Sequence, residues 1–101
     1  MTVEPGDRIL CLGLPPYSQL AELTQKLSSG LVVVIAGDDE VRAARRAFAQ
    51  TENIMFVPEA DDGSIPWRDG FFTAVILCVP GRPDEVHRVL APGGRLERLS
   101  S

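Results

Sequence analysis

Residues 9–19 read ILCLGLPPYSQ. Four apolar residues run into a glycine, and a helical pattern begins a few residues later. Open α/β sheets use this order of strand, glycine turn and helix to build the loop that meets a bound ligand. Here a single glycine, Gly13, survives in the turn, and two prolines follow it. What surrounds the stretch decides the fold. What replaced the other glycines decides what the loop can do.

Working outward, RILCLGL (8–14) reads as a first buried strand. SQLAELTQKLSSG (18–30) reads as a helix, with Leu20, Leu23 and Leu27 on one face and Gly30 placed to cap its C-terminus. LVVVIAG (31–37) is apolar throughout, as a strand covered on both faces requires. DDEVRAARRAFAQ (38–50) is a second helix, capped by Asp38 or Asp39, with Val41, Ala44 and Phe48 as its buried stripe. NIMFVPEA (53–60) is a third strand, DDGSIPWRDGF (61–71) a turn-rich loop anchored by Trp67, and FTAVILCVP (72–80) a fourth strand. PDEVHRVLAP (83–92) is a short helix with Val86, Val89 and Leu90 inward. Gly93-Gly94 then turns the chain into RLERLSS (95–101), a weaker fifth strand. Strands alternating with helices imply right-handed crossovers and a parallel sheet with helices on both faces.

With 101 residues the chain is a single domain, residues 1–101. Its net charge of −4 argues against nucleic acid as a partner, which takes clustered cations to neutralise phosphates. The small group Arg42, Arg45 and Arg46 reads as a solvated helix face. Cys11 and Cys78 sit inside apolar runs and read as small hydrophobes rather than as a redox pair. His87 has no acid or nucleophile beside it and reads as a surface residue. Asp61, Asp62 and Asp69 share a loop with Gly63 and Gly70 and read as turn formers, so no metal site is expected. The first residues do not read as a secretory leader, so none is expected, and no apolar run reaches membrane-spanning length. The expected location is the cytoplasm, with no membrane partner.

Four stretches, GDRILCLG, AARRAF, IPWRDGFFTAVI and VHRVLAPGGRL, together resemble the class I S-adenosylmethionine-dependent methyltransferases, in particular the small-molecule branch called type 11. The resemblance runs from Gly6 to Leu96, and RVLAPGGRL (88–96) is its most specific piece. It implies a Rossmann-like three-layer α/β/α sandwich. Its five mainly parallel strands would run in the order 3-2-1-4-5, without the C-terminal strands of a full methyltransferase.

The resemblance also implies S-adenosylmethionine as cofactor, and its binding residues carry over only in part. Gly13 matches the first motif glycine, but Cys11 stands at the acidic position, and Pro15 and Tyr17 take the places of the next two glycines. Proline removes an N–H donor there, and the tyrosine ring is expected to plug the pocket. The ribose-binding acid falls at about Ile35. Asp38 and Asp39 lie a few residues on, as substitutes for that acid or as helix caps, capping being the simpler role. Glu59 matches the carboxylate that meets the adenine amine, and Thr73 replaces the last aspartate of the fourth motif. The candidate cofactor residues are therefore Gly13, Glu59 and Asp38, with no catalytic residue, and the departures point to a cofactor that is not bound.

The fifth strand reads Arg95-Leu96-Glu97-Arg98-Leu99. In a complete enzyme of this family it lies inside the sheet and is apolar. Here its charges suit an exposed edge, and the chain looks adapted to ending there. Two functions follow. One is a non-catalytic module that binds another protein or its own copy, through residues 95–99 or a face formed by Tyr17 and Trp67. The other is a small-molecule methyltransferase, completed by a partner chain.

Overall fold

The computed structural model describes residues 3–99. Five strands, β1 (Arg8–Leu12), β2 (Leu31–Ala36), β3 (Ile54–Pro58), β4 (Phe72–Leu77) and β5 (Leu90–Arg98), form one sheet in the order β3-β2-β1-β4-β5. All four pairings are parallel. Helices α1 (Tyr17–Lys26), α2 (Asp38–Ala47) and α3 (Pro83–Val89) complete the layers. This is the expected Rossmann-like sandwich. None of its helices, among the described residues, is long and apolar enough to cross a membrane.

The alternation of side chains along each strand splits the core in two. On one face Ile9, Cys11, Val32, Val34, Ala74 and Ile76 pack against Leu20 and Leu27 of the α1 segment and Val41 and Ala44 of α2. On the other face Leu10, Leu12, Val33, Ile35 and Val75 pack against Ile65, Phe72 and the α3 residues Val86 and Val89. Strands β1 and β2 face protein on both sides, which is why they read as unbroken apolar runs.

Several element ends differ from the expectation. Helix α1 stops at Lys26 with Leu27 as its C-cap, so Gly30 is not the cap. Its role is close approach: a Cβ on Gly30 would lie 2.2 Å from the carbonyl oxygen of Asp7. The N-cap of α2 is Gly37, ahead of both aspartates. Asp38, Asp39 and Glu40 occupy the first turn, where the helix dipole favours negative charge, and Glu40 Oε1 accepts the Gly37 N–H at 3.3 Å. Helix α3 ends at Val89 because Pro92 cannot continue a helix and biases the residue before it toward extended backbone. Strand β5 therefore begins at Leu90, and residues 91–94 bulge between the Phe72–Leu90 and Ala74–Arg95 pairs, with Gly93 at φ +77°.

Asp7 joins four strands, meeting β2 and β4 near their N-terminal ends and β5 at Arg95. Its backbone carbonyl accepts the N–H of Leu31 at 3.0 Å. Its carboxylate accepts the Glu4 N–H at 2.9 Å, the Thr73 hydroxyl at 2.9 Å and Arg95 Nη2 at 2.6 Å. Burial alone would raise its pKa. The bonds from Glu4, Thr73 and Arg95 outweigh that and hold the carboxyl below its usual value.

The β3 edge is partly blocked. Asn53 and Glu59 bond toward β2, so Ile54, Phe56 and Pro58 face outward by alternation. Pro58 has no N–H, and the Phe56 carbonyl accepts Arg45 Nε and Nη2 at 3.2 and 2.8 Å. Arg45 is thus more than part of a solvated face.

Replacing Asp7 by Ala is expected to lower stability by about 3 kcal/mol, since it deletes charge-assisted bonds and leaves Arg95 uncompensated. Because the folded pKa is depressed, this contribution is complete above the ordinary value of 3.8 and fades as pH falls below it. Urea midpoints of wild type and Asp7→Ala at neutral and strongly acidic pH test both statements.

Candidate functional site

At the C-terminal ends of the strands lies a cleft of about 200 Å3. It opens beside β1, where the chain crosses to β2 on one side and to β4 on the other, the place where open α/β sheets bind ligands. Its floor is Leu12, Gly13, Ile35 and Ile65. Glu59 stands on one rim and Arg82 on another.

The floor is tied together by backbone. Gly13 N–H donates to the Ile35 carbonyl at 2.8 Å, and the Leu12 carbonyl accepts the N–H groups of Cys78 and Val79 at 2.8 and 3.2 Å. Gly13 has φ +89°, the left-handed region that glycine enters without cost. A side chain is also excluded by space: its Cβ would lie 2.9 Å from Val79 Cγ1 and 3.0 Å from Cys78 Cβ.

The opposite wall is loop 61–71, and α3 holds it. Arg88 Nη2 donates to the Ile65 carbonyl and Nη1 to the Trp67 carbonyl, each at 2.7 Å. Glu85 Oε1 accepts the Ile65 N–H at 2.8 Å, and Glu85 Oε2 accepts Arg88 Nε at 2.8 Å. The Arg88 bond, joined by the Ile65 N–H, holds the Glu85 carboxyl down at about 2. Arg82 reaches back to the Asp62 carbonyl at 3.1 Å and pairs with Asp84. Asp62 accepts the Ser64 N–H at 3.0 Å, the turn-forming role expected of it.

Of the sequence candidates, Gly13 and Glu59 line this cleft, and Ile35 stands between them. Asp38 is exposed in the first turn of α2 and is not part of the lining. Tyr17 does not plug the cleft. Its ring packs edge-on against Phe48 at 5.3 Å, over the α1/α2 side, and remains 40% exposed. Trp67 packs against Phe72 at 5.7 Å, at the start of β4 and in the other core. Tyr17 and Trp67 therefore lie on opposite faces and opposite ends of the sheet, and form no shared surface. Cys11 is buried, and burial together with Cys78 pushes its thiol up; Cys78 is raised by burial as well. Neither is an activated thiol. Among the described residues no group of His, Cys, Asp and Glu could hold a metal ion.

No protein-family model matches the chain, and no curated protein does. Solved structures do. A methyltransferase dependent on S-adenosylmethionine from Aquifex aeolicus superposes with a TM-score of 0.78 at 18% identity, over 90% of this chain and 54% of its own. The YcgJ protein of Bacillus subtilis gives 0.71 at 20% identity, over 92% and 43%. A chain in the complex between the Haloferax volcanii Trm112 methyltransferase activator and a methyltransferase gives 0.69 at 26% identity, over 93% and 44%. The fold is that of the class I methyltransferases. This chain spans about half the length of the structures it matches.

The cleft is small and its lining is mostly apolar. Pockets that take ligands of drug size measure about 300–1,000 Å3, above the volume here. At the β2 end Ile35 presents only an alkyl side chain. Val79 packs over Gly13, in the space that a bare glycine turn leaves to a ligand. What remains is an apolar trough between a carboxylate and a guanidinium. It suits a small molecule with an apolar middle and polar ends.

Sequence reasoning missed Arg82, Val79 and the Glu85–Arg88 pair. The pair had a readable signal, since residues three apart on a helix are neighbours. Val79 and Arg82 had none, because they reach the cleft only through the parallel pairing of β1 with β4.

Gly13→Ala is expected to destabilise the fold by about 2 kcal/mol, from the positive φ and the contact with Val79. Adding Val79→Ala should return part of that loss, so a double-mutant cycle in urea will be non-additive. Because Glu85 titrates at about 2 rather than at its ordinary 4.5, the clasp on loop 61–71 holds above pH 4.5 and releases as pH falls toward 2. The Ile65 amide proton shift will report that midpoint, and Arg88→Met will move it up toward 4.5.

Proposed function

We propose that this chain is a cytoplasmic methyltransferase-like domain that does not transfer a methyl group and works by binding protein. The observation that carries the reading is Ile35 on the cleft floor, where the cofactor's ribose would need an acid. Pro15, without an N–H, and Val79 over Gly13 support it. A domain that keeps a fold while its site chemistry changes is free to serve as a scaffold. The two free cysteines suit a reducing compartment.

A second reading is favoured by Tyr17, which leaves the cleft open beside Glu59. In it the chain is an S-adenosylmethionine-dependent methyltransferase acting on a small molecule, with a partner chain completing the pocket. Gly13 would then meet the cofactor by backbone, Glu59 would accept the adenine amine, and Asp38 would reach toward the ribose from the first turn of α2. Methyl transfer depends on positioning two reactants, which gives a partner that walls the site a direct effect on rate. The Haloferax complex pairs an activator with a methyltransferase, and supports partner use by a domain of this shape.

Titrating the isotope-labelled chain with S-adenosylmethionine separates the two. The expected result is no saturable change in the amide signals of Gly13, Ile35 and Glu59 at millimolar cofactor. Saturation in the micromolar range would overturn the non-catalytic reading.

A further inference from the structure

The two edges of the sheet are not equivalent. On β3 the Phe56 carbonyl is taken by Arg45 and Pro58 offers no N–H. On β5, among the described residues after the bulge, no side chain or proline does the same. Leu99 N–H donates to the Leu77 carbonyl at 2.9 Å, so the odd-numbered residues of β5 bond toward β4. By alternation Leu96 and Arg98 turn both N–H and C=O outward. Leu96 is also 43% exposed, one of the few large apolar side chains left open.

Both faces beside this edge are grooved. On the α1 face Leu23, Ile76, Glu97 and Leu99 line a groove of about 290 Å3. On the α3 face Val86, His87, Leu96 and Arg98 line one of about 200 Å3. A strand added at β5 would send alternate side chains into the two grooves, the arrangement by which sheets capture extended partners.

We propose that the occupant of this edge is β5 of a second copy, paired antiparallel about a two-fold axis at Leu96. The proposal rests on the protein-binding reading above, and charge decides the register. In the sequence Arg95-Leu96-Glu97, Arg95 pairs with Ala74 and Glu97 with Ile76, so both point to the α1 face. An antiparallel partner centred on Leu96 places its Glu97 opposite Arg95, and its Arg95 opposite Glu97. These are two opposite-charge pairs at non-hydrogen-bonded positions, where side chains come closest. Leu96 meets Leu96 of the second copy on the α3 face, and the two exchange both backbone bonds. Moving the axis one residue, to Glu97, would set Glu97 against Glu97 and Leu96 against Arg98, so like charges would face each other.

Arg95 is prepared for this. Its Nη2 is held by Asp7 at 2.6 Å, which fixes the guanidinium over the α1 face while leaving it 37% exposed. A second carboxylate at its open side extends the chain Asp7–Arg95 into the partner. The interface is isologous, the commonest form of closed protein dimer, and it joins the two sheets into one of ten strands. Because both copies use the same patch, it closes at two.

Sedimentation equilibrium of the 101-residue chain should give a reversible dimer. Leu96→Pro removes one outward N–H per copy and leaves the bonds to β4 in place, so dissociation should become about 30-fold easier. Glu97→Arg, an exposed change that does not depend on how proline is tolerated, should weaken the dimer as well. Mild oxidation should crosslink Leu96→Cys across the axis and not Glu97→Cys. A monomer at all concentrations, a dimer indifferent to both Leu96→Pro and Glu97→Arg, or crosslinking through position 97 instead would each overturn the proposal. A monomer that also ignores S-adenosylmethionine sinks the second copy alone and leaves the protein-binding reading. A dimer that binds S-adenosylmethionine sinks the non-catalytic reading and leaves the dimer.

Discussion

The clamp at Asp7 is the constraint on which the rest of the sheet depends. One residue bonds to the start of β2 through its carbonyl, to β4 through Thr73 and to β5 through Arg95. Parallel strands have no hairpin turns to set their register, so something else must align them. Asp7 does this for β1, β2, β4 and β5 together. It also explains the demand for glycine at position 30, where the chain passes the Asp7 carbonyl too closely for a side chain. A buried carboxylate costs desolvation, and three donors offset that cost.

At the other end of the strands the cleft is built by backbone and filled by side chains. Gly13, Leu12, Cys78 and Val79 bring β1, β2 and β4 together through main-chain bonds. These belong to the fold and persist whatever the side chains do. The side chains around them are isoleucine, valine and leucine, with charge confined to Glu59 and Arg82 at the rim. The turn needs its glycine for the fold alone: φ is positive there, and Val79 and Cys78 leave no room for a side chain.

Much of this was legible in the sequence. The apolar runs at 8–14, 31–37 and 72–80 mark strands covered on both faces, the charges of 95–98 mark an edge, and the family resemblance implied the strand order. Gly13, Ile35 and Glu59 were singled out at separate places in the chain, and they line one cleft. Legibility ended where contacts cross the fold. Tyr17 seemed placed to fill the site, yet Phe48 at the end of α2 offers its ring an apolar partner on the other side. Asp7 showed no signal, because its three side-chain partners are Glu4 nearby and Thr73 and Arg95 far along the chain. Glycine at 30 read as a helix cap when the real constraint was a carbonyl twenty-three residues earlier. Local rules describe what a residue prefers, and tertiary neighbours choose among the preferences.

The strand order has a consequence for how the chain is made. Strand β1 lies at the centre of the sheet, but its second neighbour, β4, is not synthesised until residue 77. Until then a growing chain can assemble only β1, β2 and β3, with the apolar flank of β1 unpaired. Pairings so distant in sequence form slowly, and unpaired apolar edges invite association with other chains. A chaperone acting during synthesis would work on that interval, between the emergence of the third strand and the arrival of the fourth.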